Sequence, residues 1–315
     1  MRLQFVVSDQ TNPYWNIAVE NYLLSLPASG TVTLYLWKNR RTVVIGQNQN
    51  PFSECNVEAL EADGGYLMRR RTGGGAVYHD DGNINFSFVA PKALYDQGRQ
   101  FGVIQRAVAG FGIVAELSGR NDILTEGRKF SGNAFSKGKY QDLHHGTILI
   151  RSNMEDLQRY LRPKPAKLQK HGVSSVQSRV VNLSELNAAI TSESIVPHLK
   201  AAFEEVYGSK AVELPFGDIV SRPEVRALYE EFASPEWKYG RWRTFTAQRT
   251  AQFDWGGVEL ELTVEDDVIT DVQLASDALD LAALDEARRL LVGASTEKRP
   301  QTEGAIVSDI LSLVF

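Results

Sequence analysis

Three arginines and three glycines stand together in the segment RRRTGGGAVYHD, residues 69–80. Glycine has no Cβ, so consecutive glycines let a flat or bulky group touch the peptide plane, and their N–H groups can point at an anion. An arginine beside them offers a planar fork that matches a phosphate. The segment therefore predicts a site for a ligand with both an apolar part and a phosphate. The alternative is a surface turn flanked by solvated arginines.

A second cluster lies in GRKFSGNAF, residues 127–135, where Lys129 begins a strand. A lone strand lysine is usually solvated, but the small residues that follow it, Gly132 among them, leave space for another group. Asp122 is a possible magnesium ligand, although a lone aspartate in a turn is more often structural. The motif HHGTILI, residues 144–150, places two histidines at the start of a further strand.

Two common phosphate motifs do not fit the glycine segment. A P-loop requires a lysine and a serine or threonine directly after its last glycine, and the sequence has neither there. A dinucleotide-binding fingerprint requires a helix after the glycines, whereas the residues that follow them read as a strand. The predicted site is therefore of another kind.

The elements that must position these clusters follow from periodicity. A helix is predicted after Pro13, and further helices over 56–63, over 103–111, from a capping box at Ser152 and over 194–207. Hairpins are predicted for three segments, 31–46, 76–89 and 122–130. In the second of them Asn85 and Ser87 alternate with apolar residues, which predicts one apolar face. Strands dominate the first half without regular alternation with helices, so the fold class is α+β with mixed and antiparallel sheets.

A second, smaller α+β domain is predicted at the C-terminal end. The segment FDWGGVELELTVEDDVITDVQL, residues 253–274, alternates strongly and precedes an amphipathic helix near 281–292. A linker near 244–251 gives a predicted division into residues 1–245 and 246–315.

Composition excludes several classes of protein. The 315 residues carry a formal net charge of −5, which does not favour a nucleic-acid-binding surface. One cysteine, Cys55, excludes an intramolecular disulfide and fits a cytoplasmic protein. The N-terminal apolar run is too short for a signal peptide, and no apolar stretch is long enough to span a membrane.

The three motifs, in this order and spacing, closely resemble the bacterial lipoate–protein ligase A family, one of the biotinyl/lipoyl protein ligases. Further matching stretches are PYWNIAVE, LWKNRRTVVIGQNQNPFSECN, GVSSVQSRVVNLSEL and FDWGGVEL, so the resemblance covers nearly the whole chain. It implies a large catalytic domain of the biotinyl/lipoyl-ligase type and a small accessory domain.

The resemblance also implies an activity. Such ligases join free lipoate to ATP with Mg²⁺, giving lipoyl-AMP and pyrophosphate, and then pass the lipoyl group to a lysine of an acceptor protein. The implied acceptors are the lipoyl domains of 2-oxo-acid dehydrogenase complexes and the glycine-cleavage H protein.

The resemblance assigns roles to individual residues. Lys129 is implied as the catalytic residue, in contact with the lipoyl carbonyl and the phosphate. The implied ligands of ATP and lipoyl-AMP are Arg70, Gly75, Ala76, Val77, Tyr78 and Lys129. The implied lipoate-binding residues are Gly73, Gly74, Gly75, Lys129, Gly132 and His145. The stretch 163–182, with Lys164 and Lys167, resembles the loop that closes over the adenylate, and Arg71 stands where relatives often have a small residue.

Three alternatives stay open. An octanoyl or lipoyl transferase of the same fold uses an acyl-cysteine, for which Cys55 is the single option, and we expect Cys55 to be a core thiol. A biotin ligase would have a different arginine–glycine loop. A non-catalytic lipoate- or nucleotide-binding relative could lose Lys129, which this chain retains.

Overall fold

The computed structural model describes residues 1–119, 121–162, 180–239, 247–265, 268–296 and 298–315. They form three β-sheets with helices around them, which confirms the predicted α+β class. The strands are β1 (Arg2–Val7), β2 (Thr31–Trp37), β3 (Thr42–Ile45), β4 (Tyr66–Arg69), β5 (Val77–His79), β6 (Asn83–Pro91), β7 (Glu116–Ser118), β8 (Asp122–Thr125), β9 (Arg128–Lys137), β10 (Gln141–Leu149), β11 (Ala211–Glu213), β12 (Ala247–Phe253), β13 (Gly256–Glu265) and β14 (Val268–Ser276). The helices are α1 (Pro13–Ser25), α2 (Pro51–Glu54), α3 (Val57–Ala62), α4 (Gln97–Ala109), α5 (Met154–Tyr160), α6 (Leu183–Leu186), α7 (Ile195–Tyr207), α8 (Phe216–Val220), α9 (Pro223–Ala233), α10 (Pro235–Tyr239), α11 (Leu281–Leu291) and α12 (Ala305–Leu311).

The largest sheet has eight strands in the order β11-β1-β2-β6-β10-β9-β8-β7. Strand β1 runs parallel to both of its neighbours, and the remaining pairs are antiparallel. Helices α4 and α7 pack together on one face, and α1 packs with α9 on the other. Both faces of the central strands are therefore buried, and every residue of β2 and β6 is buried.

Two predicted hairpins are wrong. Strands β2 and β3 are consecutive but lie in different sheets, as do β5 and β6. A second sheet, in the order β4-β3-β5, takes β3 and β5 instead. The connections are tight as predicted, with Arg41 in the left-handed region at φ 34° and Asp80 accepting the Gly82 N–H. Each turn therefore passes the chain from one sheet to the other instead of pairing the two strands that it joins.

Several other predictions hold locally. Helix α1 begins at Pro13 as predicted, and β8 pairs with β9 through a turn in which Glu126 and Gly127 have φ values of 50° and 74°. Helix α7 ends at Gly208 in the left-handed conformation. The capping box at Ser152 is wrong, because Asn153 caps α5 by accepting the N–H groups of its first turn.

The C-terminal elements have a hydrophobic core of their own. Strands β12, β13 and β14 form an antiparallel sheet, and α11 and α12 cover one face of it. The predicted division between residues 245 and 246 falls within 240–246, outside the described residues. The stretch 163–179, which holds most of the adenylate-closing loop predicted by resemblance, also lies outside them. No helix in the described part of the chain is long and apolar enough to cross a bilayer.

Candidate active site

One face of the large sheet forms the floor of a cavity of about 460 Å³. The strand registers place Trp37 opposite Asn85 and Asn85 opposite Thr147. The Gly132 N–H donates to Thr147 Oγ1 at 3.2 Å, and Asp122 lies opposite Gly132. Opposed residues of a sheet point to the same face, so this row crosses five neighbouring strands from an aromatic end to a charged end. The volume suits a small-molecule ligand.

The walls of the cavity come from three other parts of the chain. Helix α1 and the second sheet supply Ile17, Val44, Met68, Val77 and His79. The glycine segment supplies Arg70, Gly74, Gly75 and Ala76. Of the residues that the sequence predicted, Gly73 and Tyr78 do not line the cavity. The Tyr78 hydroxyl donates to Asp156 on the far side of the second sheet, and burial raises the pKa of Tyr78.

Arg70 is buried and holds the glycine segment in shape. Its guanidinium donates to the carbonyls of Gly73 and Gly75, both at 2.8 Å, and to Thr72 Oγ1 at 3.0 Å. Burial lowers the pKa of Arg70 to about 10. Arg70 also lines the cavity. Its contact with a phosphate stays a prediction. Its hydrogen bonds hold the glycine segment folded around the guanidinium.

The other two arginines of the block contact protein groups rather than the cavity. Arg71 pairs with both carboxylate oxygens of Glu231 at 2.7 Å and lies over the ring of Phe232 at 5.1 Å. The guanidinium of Arg69 donates to backbone carbonyls on two sides, those of Gly46, Gln47, Gln49, Trp237 and Lys238. The block therefore fixes the strand that leads into the glycines.

Lys129 stands at the charged end of the cavity floor. Its Nζ lies 2.7 Å from Asp122 Oδ1, and about one third of each side chain is exposed. A Cβ added to Gly132 would lie 2.8 Å from Lys129 Nζ, so the absent side chain gives the ammonium its place. The space at Gly132 is therefore taken by the Lys129 side chain itself, whereas the sequence predicted space for another group. Lys129 lines the cavity.

At the charged end of the cavity floor, the carboxylate of Asp122 could bind a magnesium ion. No group of three or more His, Cys, Asp or Glu residues in the described part of the chain could hold a metal ion. Mg²⁺ is commonly bound by one or two carboxylates with substrate phosphates completing its shell. Asp122 fits such a shared site, and its assignment as a ligand stays a prediction.

His145 belongs to a hydrogen-bond chain that the sequence analysis did not identify. Its Nδ1 lies 2.8 Å from the buried carboxylate of Glu20, and its Nε2 lies 3.0 Å from Thr72 Oγ1. Ser87 Oγ donates to the same Glu20 oxygen at 2.6 Å and accepts the Trp37 indole N–H. These hydrogen bonds connect the cavity floor to the glycine segment. The sequence signal for this network was the pair of polar residues Asn85 and Ser87 in β6, a strand whose residues are all buried.

The C-terminal sheet and the turns beside it form one side of the cavity. Gln252, Asp254, Trp255, Asp277 and Leu279 line it. A Cβ added to Gly73 would lie 2.5 Å from the carbonyl oxygen of Ala278, so this glycine permits the close approach of the two parts. The Ser276 N–H also donates to the carbonyl of Asn48 at 2.8 Å.

Cys55 lies away from this site. It is buried in a separate apolar cluster beside α3, and it does not line the cavity. Burial raises the pKa of its thiol to about 12, which disfavours the thiolate that a nucleophile requires. This agrees with the expectation of a core thiol.

Known proteins match the chain along most of its length. Residues 12–204 match the lipoyl protein ligase A/B catalytic domain, and residues 243–300 match the bacterial lipoate protein ligase C-terminus. Lipoate-protein ligase A of Psychrobacter cryohalolentis is 39% identical over 95% of this chain and 90% of its own. The crystal structure of P. falciparum LipL1 in complex with lipoate shares 31% identity and a TM-score of 0.83, covering 98% of each chain. A lipoate-protein ligase A bound with ATP shares the fold, at 24% identity and a TM-score of 0.65 over 76% of this chain and 98% of its own.

The catalytic-domain match contains every predicted site residue, and it agrees with a cavity that has an apolar end and a lysine at the other. The chain belongs to the lipoyl protein ligase A/B family.

Proposed function

We propose that this protein joins free lipoate to ATP to form lipoyl-AMP and then transfers the lipoyl group to a lysine of an acceptor protein. The observation that carries the proposal is the position of Lys129, at the opposite end of the cavity floor from the apolar residues around Trp37. An acyl chain laid along this floor has its carboxylate at the ammonium.

The first step brings two anions together, because a carboxylate attacks the α-phosphate of ATP. Lys129 offers positive charge where the two meet, and Arg70 keeps the glycine segment folded beside them. Mg²⁺ bound by Asp122 and the phosphates would neutralise further negative charge. Such a reaction depends on positioning and electrostatics.

The second step requires the acceptor amine to attack the carbonyl of the mixed anhydride. The Lys129 ammonium, which lies 2.7 Å from Asp122 Oδ1, is placed to stabilise the negative charge that develops on the carbonyl oxygen. The leaving group is AMP, so the protein needs no nucleophile of its own. This agrees with the position of Cys55 outside the cavity.

We also propose that residues 1–245 form the catalytic unit and residues 246–315 an accessory unit that serves adenylate formation. The separate core of the C-terminal sheet supports this division. The residues that this sheet and its turns contribute to the lining of the cavity support a role in enclosing the ligands. The proposed acceptors are lipoyl domains of 2-oxo-acid dehydrogenase complexes and the glycine-cleavage H protein.

Mass spectrometry of a purified lipoyl domain tests the function directly. After incubation with this protein, lipoate and Mg-ATP, the domain should gain the mass of one lipoyl group, and it should gain none when ATP is omitted. Transfer from an acylated carrier protein without ATP would favour the transferase instead. Binding of lipoate and ATP without any modified acceptor or pyrophosphate would favour a non-catalytic relative.

A further inference from the structure

Two residues that line the cavity each have a buried side-chain N–H with no hydrogen-bond partner among the described residues. The two nitrogens are Nε2 of His79 and Nδ2 of Asn85. The two residues are 3% and 1% exposed, and both line the cavity. A buried donor without a partner is costly, so such groups beside a cavity point to an acceptor supplied by a ligand.

The protein fixes which nitrogen of His79 carries the proton. Asn16 Nδ2 donates to Asn39 Oδ1 at 3.0 Å, which turns Asn39 Nδ2 toward His79 Nδ1 at 3.2 Å. Nδ1 is therefore an acceptor, and Nε2 carries the hydrogen. Burial, together with the neighbouring Arg70, lowers the pKa of His79 to about 3, so the ring is neutral at physiological pH. Asn85 Oδ1 accepts a hydrogen bond from Asn83 Nδ2 at 3.0 Å, and Asn85 Nδ2 has no acceptor among the described residues.

Both donors stand at the apolar end of the cavity. The His79 ring packs edge-on against Trp37 with centroids 6.1 Å apart, and Asn85 lies opposite Trp37 in the sheet. Gly132, beside the Lys129 ammonium, is two strands away from Asn85, which corresponds to about 10 Å. A short acyl chain whose carboxylate meets Lys129 therefore brings its far end to His79.

We propose that His79, assisted by Asn85, recognises hydrogen-bond acceptors at the far end of the acyl chain, and that this favours lipoate over octanoate. The inference rests on the proposed function. The dithiolane sulfurs of lipoate can accept weak hydrogen bonds, whereas the terminal methyl of octanoate leaves both donors buried and unpaired. A site that leaves its polar groups unpaired discriminates against the analogue that lacks the acceptor.

The affinities of free lipoate and free octanoate, measured by isothermal titration calorimetry without ATP, test this inference. The wild-type protein should bind lipoate more tightly. His79→Phe should lower the ratio of the two affinities roughly two- to tenfold, because lipoate then loses a hydrogen bond that octanoate never makes. His79→Gln, which retains a donor near the same place, should keep the ratio, and Asn85→Leu should lower it.

His144→Phe is the matched control. His144 is equally buried and neutral, but both of its ring nitrogens are hydrogen bonded and it does not line the cavity. Its replacement should leave the ratio unchanged. An unchanged ratio in both His79→Phe and Asn85→Leu, as expected if trapped water satisfies the donors, would overturn the inference.

A parallel measurement of pyrophosphate release separates the inference from the proposed function. Absence of release with either acid would reject the ligase activity, while a shifted affinity ratio would still support recognition by His79.

Discussion

Replacing Lys129 by alanine should slow both half-reactions while leaving the fold intact. The ion pair with Asp122 joins two side chains that are each about one third exposed, so losing it should cost at most ~1 kcal/mol of folding stability. Losing one preorganised donor to a developing negative charge typically costs ~3–4 kcal/mol of activation free energy, or about 10²–10³ in rate. The kinetic effect should therefore far exceed the effect on stability.

Two assays separate the half-reactions. Pyrophosphate release reports adenylate formation, and single-turnover transfer from supplied lipoyl-AMP reports acyl transfer. Arg128→Ala is the matched control, because Arg128 precedes Lys129 on the same strand, is equally exposed, pairs with Glu126 at 3.5 Å and does not line the cavity. Lys129→Arg should not rescue activity, since a planar guanidinium cannot replace a compact ammonium so close to Gly132.

Near-normal rates of both half-reactions in Lys129→Ala would refute this reasoning and would make Lys129 a solvated strand lysine. A loss confined to one half-reaction would contradict the proposed bridge between carbonyl and phosphate. Equal losses in Arg128→Ala would show that the strand, rather than the ammonium, was disturbed.

Three further predictions follow from buried groups. Cys55→Ala should change the transfer rate by less than about twofold, and loss of transfer in the folded variant would contradict direct attack on the adenylate. The added methyl group of Gly73→Ala should clash with the carbonyl of Ala278 and destabilise this contact by about 1–3 kcal/mol. Pyrophosphate release should then fall about tenfold while transfer from lipoyl-AMP persists. Equal losses in the two assays would reject the accessory role of the C-terminal unit. Burial lowers the pKa values of His79 and His144 to about 3, so the unfolded chain binds more protons as pH falls below 6.5. Each histidine should remove about 2 kcal/mol of stability between pH 7 and pH 5, measured by urea denaturation, and His144→Phe should reduce that loss; an unchanged slope would contradict it.

The sequence predicted the fold class and several elements, because their signals are local. Pro13 marks the start of α1, Gly208 the end of α7, and the turn at Glu126 and Gly127 joins two strands that do pair. The two wrong hairpins show the limit of local signals. A tight turn indicates that the chain reverses direction. The sheet that the next strand joins depends on distant segments, because β3 pairs with β4 and β6 pairs with β10.

The candidate site was predicted in part for a similar reason. Glycines and Lys129 are conspicuous in the sequence, whereas Glu20, His79 and Asn85 become important only when α1, the second sheet and β6 meet at one cavity. The alternation in β6 predicted one apolar face. In the structure both faces are buried, and the polar residues of that strand face the cavity or the chain that supports it.

The arginine block has a structural role in addition to the predicted phosphate contact of Arg70. Of the three adjacent arginines, only Arg70 is predicted to contact a phosphate. Arg69 and Arg71 contact carbonyls, a carboxylate and aromatic rings, and Arg70 donates to the loop that it precedes. A run of glycines has high conformational freedom and requires external contacts to adopt one shape. Buried guanidiniums supply several directed donors each. In this site, the arginines beside the glycines therefore order the loop. The partly exposed ammonium of Lys129 lines the cavity.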